Sequence, residues 1–195
     1  MSPRAPEPTR LAVLDAADVL LEAGGPTAVT LRAVGAEAGV SRSAPYRHFE
    51  GKAELLAAVA LRTLSALGSA IRDAAGDGTA TDRLRRGCLG YLDYALASPQ
   101  HYLLIFGSTP LADPSPAIEA AADDGLGALE ELVREAQADG ILPPGPSREV
   151  STALWVFLHG LCSLQLTRHL HEPRTLDGDT RLSELLDLTL AAWRP

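Results

Sequence analysis

Gly39 is the residue that most restricts how this chain can fold. It stands between two short runs that each read as helix, Leu31 to Ala38 and Ser41 to about His48, so the chain must turn there within a few residues. Thr30 suits the N-cap of the first run, whose Leu31, Val34 and Ala38 fall on one side. A helix that stops after Ala38 needs a residue tolerant of positive φ, and glycine is the usual one. Val40 then offers an apolar anchor, and Ser41 a cap for the next helix. Two helices joined by a tight glycine-containing turn form a helix-turn-helix. Pro45 lacks an N–H and restrains Ala44 away from α geometry, so the second helix is expected to be short or irregular at its start.

The flanking sequence reads as more helix. Residues 1–8, with three prolines, suggest a flexible arm. A first helix runs from about Thr9 to Gly24-Gly25, with Val13, Leu14, Ala17, Leu20 and Leu21 on one stripe. After Glu50-Gly51 a long helix begins near Lys52, its apolar set being Leu55, Leu56, Val59, Ala60, Leu64, Leu67 and Ile71. Breakers then separate helices over about 80–97, 100–107, 116–138, 147–171 and 180–193, with loops at Pro110–Pro116, Pro143–Pro146 and Pro173–Asp179. Ala and Leu dominate and aromatics are 5 %, which favours helix throughout. The expected fold is all-α: a three-helix helix-turn-helix domain over 9–56 and a helical C-terminal domain over 57–195.

A net charge of −8 opposes a nucleic-acid partner, because phosphate attracts positive charge. Its distribution weakens the objection. Residues 1–62 hold seven basic and seven acidic side chains, while the remaining 133 hold ten and eighteen and so carry the whole −8. A neutral head on an acidic body suits DNA if the head gathers its cations on one face. Cys88 and Cys162 do not make a disulfide framework in a chain this size. Met1 to Arg10 lacks the apolar region of a signal peptide, and no apolar run reaches the ~18 residues of a membrane span. A cytoplasmic protein without a membrane partner is expected.

Four segments carry a resemblance: Thr30-Leu31-Arg32-Ala33-Val34, Ala38-Gly39-Val40-Ser41, Tyr46-Arg47-His48-Phe49-Glu50-Gly51-Lys52 and Glu54-Leu55-Leu56. From Thr9 to Leu56 the sequence resembles the DNA-binding head of the tetracycline-repressor (TetR/AcrR-like) family. In the body, Trp155-Val156-Phe157-Leu158-His159-Gly160 resembles the Trp-x-x-x-His-Gly signature of one subgroup, and Pro99 to Phe106 the short-helix segment that accompanies it.

A recognition helix lies in the major groove with its N-terminal side chains at base edges. Ser41, Arg42 and Ser43 occupy that position. Arg42 can bridge guanine O6 and N7, or else only meet solvent, and Ala44 has a methyl suited to a thymine methyl. Thr30 is a cap and a phosphate contact, and Arg32 opens the helix beside it. The resemblance implies that Tyr46, His48 and Lys52 touch phosphates and that Arg47 touches a base or a phosphate; His48 could instead cap the helix.

Trp155, His159 and Cys162 share a helix face. With Tyr102 and Phe106 they read either as the lining of a pocket for a hydrophobic or aromatic inducer or as a packed core with one hydrogen-bonded histidine. His159, Cys162 and His169 lack a convincing fourth ligand for a metal, Cys162 lacks the further groups of a nucleophile, and no cofactor or catalysis is expected. The resemblance implies a homodimer, here paired through the last two long helices and the stripe Leu182, Leu185, Leu186 and Leu190. It further implies a repressor released from a pseudo-palindromic operator by a small molecule. The rival readings are a ligand-independent DNA-binding scaffold and a helical enzyme.

Overall fold

The computed structural model describes residues 6–107, 115–170 and 182–194. Among these are eight α-helices and one 3-10 turn, with no strand. The order is α1 (Pro6–Ala28), α2 (Leu31–Glu37), the 3-10 turn Pro45–Arg47, α3 (Lys52–Ala75), α4 (Ala80–Ala97), α5 (Pro99–Phe106), α6 (Pro116–Ala138), α7 (Ser147–Leu166) and α8 (Leu182–Ala192). The all-α expectation holds.

Several element ends differ from the sequence reading. Helix α1 begins at Pro6, so residues 6–8 are helical rather than arm, and residues 1–5 lie outside the described residues. Gly24 and Gly25 do leave helical geometry, at φ −150 and φ 66, but the chain re-enters for one more turn. Pro26 supports that re-entry, because its fixed φ suits a first helical turn. The glycine pair therefore ends the first helix as expected, with Gly25 in the left-handed region, and one further turn over 26–28 follows it. Helix α7 ends at Leu166 instead of near 171; Arg168 takes φ 57, and the His169 N–H donates back to the Leu164 carbonyl at 2.8 Å. The loops expected at Pro110–Pro116 and Pro173–Asp179 lie largely outside the described residues.

Two compact units emerge: Met1–Leu64 with Ser98–Ala121, and Ser65–Ala97 with Ala122–Pro195. The first thus holds α5 together with the helix-turn-helix. Its core joins Val13, Leu14, Ala17 and Leu21 of α1 to Leu31 and Val34 of α2, to Phe49, to Leu55 and Val59 of α3, and to Leu104 of α5. In the second unit α4 packs on α7 and α8, and its buried side chains include Leu84, Tyr91, Leu129, Val133, Leu154, Leu158 and Leu186.

Helix α3 is long and apolar enough on average to cross a membrane, although Glu54 and Arg62 interrupt its apolar run. Leu55, Val59, Ala60, Leu64, Leu67, Ile71 and Ala75 are nevertheless all buried. Its apolar character is that of a core helix whose residues divide between the two units.

Candidate nucleic-acid interface

The head is built from local capping upward. Thr30 takes extended geometry (φ −134, ψ 148), and its hydroxyl accepts the Ala33 N–H at 3.1 Å. With Leu31 and Val34 buried, Arg32 is left exposed. The chain turns through Gly39 at φ 62, where the Val40 N–H donates to the Gly35 carbonyl at 3.1 Å. The Ala44 N–H then donates to the Ser41 carbonyl at 2.9 Å, and the Phe49 N–H to the Pro45 carbonyl at 3.0 Å. Ser41 and Ser43 bring their hydroxyl oxygens to 3.5 Å.

The second half of the motif is shorter than the helix expected from Ser41 to His48. Only Pro45–Arg47 is regular, as a 3-10 turn, because Pro45 cannot donate into an α ladder. Ala44, however, is not driven from α geometry: it sits at φ −63, ψ −45. Ala44 and Pro45 are both buried, and that packing overrides the local preference of a residue before proline.

The exposure of each site residue follows from this backbone. Ser41, Arg42, Ser43, Tyr46, Arg47 and Lys52 are exposed, Tyr46 at 58 %, and His48 is half-buried. Ala44 is only 9 % exposed, so its methyl packs inward and is not offered to a thymine. Lys52 opens α3, and the Glu54 carboxylate accepts the Glu50 N–H at 2.5 Å to hold that start in place.

Ion pairing separates the cations into two populations. Arg62, Arg72, Arg83, Arg85, Arg134 and Arg148 each face a carboxylate. Among the described residues, Arg32, Arg42, Arg47 and Lys52 pair with none. Meanwhile Asp15 and Asp18, two of the head's acids, are engaged by Arg62. The net charge of −8 is therefore not the charge of this face, where the exposed Arg32, Arg42, Arg47 and Lys52 stand beside the exposed Glu37, Glu50 and Glu54. Sequence reasoning also missed Arg10, whose guanidinium lies over the Phe49 ring, 5.4 Å from its centroid. Nothing in the spacing of those two residues signals that contact.

The expected ligand residues fall into two groups in different compact units. On α7, Trp155 and His159 stack with ring centroids 5.7 Å apart and planes 29° from parallel, and Cys162 is buried one turn further on. Burial pushes the His159 pKa below its ordinary value, which favours the neutral ring. On α5, Tyr102 is buried and meets the half-buried Phe106 at 4.8 Å between centroids.

An all-helical chain that presents a capped helix-turn-helix with free cations defines a DNA-binding transcription regulator. Residues 13–59 match the model of the family described as "Bacterial regulatory proteins, tetR family", and residues 84–189 that of "Tetracyclin repressor-like, C-terminal domain". The chain belongs to the tetracycline-repressor family. Among solved structures it is similar to a protein of unknown function from Rhodococcus sp. RHA1, with a TM-score of 0.80, 26 % identity, and 95 % of this chain and 93 % of that one covered. The TetR-family regulator PfmR from Thermus thermophilus shares the fold at 19 % identity and a TM-score of 0.65, covering 92 % and 94 %. A tetR-family regulatory protein from Rhodococcus RHA1 does so at 21 % and 0.64, covering 95 % and 97 %. No curated protein matches the chain.

Proposed function

We propose that the protein is a repressor that holds a pseudo-palindromic operator as a homodimer and lets go when a small apolar or aromatic molecule binds its C-terminal domain. The observation that carries the DNA half is the set of exposed, unpaired cations on the head: Arg32, Arg42, Arg47 and Lys52. Lys52, Tyr46, His48, Arg32, the Thr30 hydroxyl and the free amides beside it grip phosphates and set the register. Ser41, Arg42, Ser43 and Arg47 reach base edges.

The dimer half rests on α7. Thr152, Ala153, Val156, Ser163 and Leu164 are exposed without a charged group among them, and a Cβ added at Gly160 would meet nothing within 4 Å. An uncharged helical row with a small residue at its centre suits close packing against a second copy. Helix α8 adds Leu188 to the exposed apolar set. The ligand half rests on the Trp155–His159 stack, which offers an aromatic face and a ring nitrogen. In this reading no chemical step occurs, and the buried Cys162 thiol only packs.

Selection of bound sequences from random duplex DNA tests the whole. The expected product is a two-fold site whose affinity falls steeply with salt, and salt-independent or absent binding would sink the proposal. For the ligand, aromatic and long-chain apolar compounds are screened for quenching of Trp155 in a Trp193→Phe background. A hit should loosen the DNA complex, and Trp155→Ala should lose that response while keeping operator affinity. Release that survives Trp155→Ala would move the ligand site elsewhere.

A further inference from the structure

His101 stands on α5 with its ring between two carboxylates of α1. Its Nδ1 lies 2.9 Å from Glu22 Oε2 and its Nε2 lies 3.3 Å from Asp18 Oδ1. The side chain is 14 % exposed. A neutral imidazole has one N–H and one bare lone pair, so it can donate to one of these oxygens but must aim its lone pair at the other. The imidazolium donates to both. Two carboxylates on the two ring nitrogens thus call for the charged ring on geometry alone.

The surrounding charges add to that demand. Helix α1 brings Asp15, Asp18 and Glu22 to this place, and α3 brings Arg62, which lies 2.9 Å from Asp15 and 3.2 Å from Asp18. The one guanidinium pairs with two of these three carboxylates, and a cation at His101 offsets part of the excess. Tyr102 is the other ionisable side chain of α5, and it is buried. The rest of α5's seat on α1 is uncharged. Leu104 joins the core of the first unit, and the Gln100 amide oxygen fills the space beside Gly25, 3.0 Å from where a Cβ would stand. Helix α1 is also the element on which α2 packs, and α5 follows α4 after the single residue Ser98.

We propose that His101 is a proton-operated clasp: as the imidazolium it pins α5 to α1, and on losing its proton it releases one of the two bonds and loosens the helix-turn-helix unit. The control of DNA binding rests on the head's role as the DNA-binding element; the clasp itself does not. In support, the His101 pKa is raised above its ordinary 6.5, foremost by the hydrogen bond to Asp18, against an opposing effect of burial and with help from Glu22. A raised pKa in the folded state means the stabilisation is complete below about pH 6.5 and is lost as pH climbs through the folded value.

The test combines the NMR titration of the His101 ring with amide hydrogen exchange of α5, corrected for intrinsic rates, in wild type, Glu22→Gln and His101→Gln. The wild-type ring should titrate above pH 6.5, and Glu22→Gln should lower that midpoint. Protection of α5 should fall roughly three- to tenfold across the titration in wild type, the range of one hydrogen bond, and stay level in His101→Gln. A ring that titrates at or below pH 6.5, or equal exchange profiles in wild type and His101→Gln, would overturn the clasp. A random-sequence duplex at fixed salt then reads the coupling. Wild-type affinity should drop several-fold over the same pH range while His101→Gln does not follow; parallel profiles would overturn control of the DNA-binding unit. If neither protein bound the duplex at any pH, the DNA-binding role would fail, and with it the proposed control, while the exchange result would still decide the clasp.

Discussion

Gly35 of α2 lies directly against Pro45 at the head of the 3-10 turn, so close that a methyl on Gly35 would stand 3.1 Å from Pro45 Cγ. The two halves of the motif meet at this point, and both residues are buried. A proline ring cannot swing aside as a long side chain would. Gly35→Val should force the halves apart, cost about 1–3 kcal/mol and weaken binding to every DNA sequence. Gly35→Ala should cost less, because alanine gains up to ~1 kcal/mol of helix propensity. Thermal unfolding checks both; a wild-type Tm for Gly35→Val would show that this contact does not set the crossing.

The unpaired cations predict two distinct losses of DNA binding. Lys52→Ala should lower affinity evenly across sequences and reduce the salt slope by about one, since a phosphate contact carries no sequence information. Arg42→Ala should cost ~1–3 kcal/mol selectively at one base pair. Titrations against the selected site and its single-base variants separate them. Wild-type behaviour in both would move the recognition surface away from these residues.

On α7, Val156 is 57 % exposed, whereas Leu186 of α8 is fully buried. The expected dimer stripe Leu182, Leu185, Leu186 and Leu190 is therefore not uniform, because Leu186 packs inside one chain. Val156→Arg should yield a folded monomer in sedimentation at micromolar concentration. Leu186→Ala should instead lower stability by about 2–5 kcal/mol. A dimer that persists in Val156→Arg would place the interface on another face.

His159 and His101 should respond to pH with opposite signs. Burial lowers the His159 pKa, so below its ordinary 6.5 the unfolded chain binds more protons than the folded one, and stability falls as pH drops through that value. His159→Gln should lessen the loss of Tm between pH 7 and pH 5. His101→Gln should lower Tm most on the acid side, where the raised pKa keeps the native ring charged. If His159→Gln showed the wild-type acid slope, burial of this ring would not be what the pH dependence reports.

Much of the head was legible in the sequence. Thr30 as cap, Gly39 as turn, the breaks between α4 and α5 and the start of α3 near Lys52 all follow from rules that act within a few residues. The misreadings have the same origin. Nothing local announces the extra turn that Pro26 allows after Gly24-Gly25, and Ala44 resembles a non-helical residue because its burial depends on the fold. Trp155 and His159 meet as their four-residue spacing requires, but the grouping of Tyr102 and Phe106 with the head's unit is not a local property.

By itself, the sequence determined that the chain is helical, where most of its helices break and which motif the head forms, because caps, breakers and three-four spacing are settled by hydrogen bonds and side chains one turn apart. Only the tertiary structure decided which charges are free. Arg62 reaches Asp15 and Asp18 across 47 and 44 positions, Arg85 reaches Asp187, and His101 lies between Asp18 and Glu22. These pairings consume charge that composition counts as available and leave Arg32, Arg42, Arg47 and Lys52 to face outward. Electrostatic attraction acts through space, so residues that no local pattern relates become partners once helices pack.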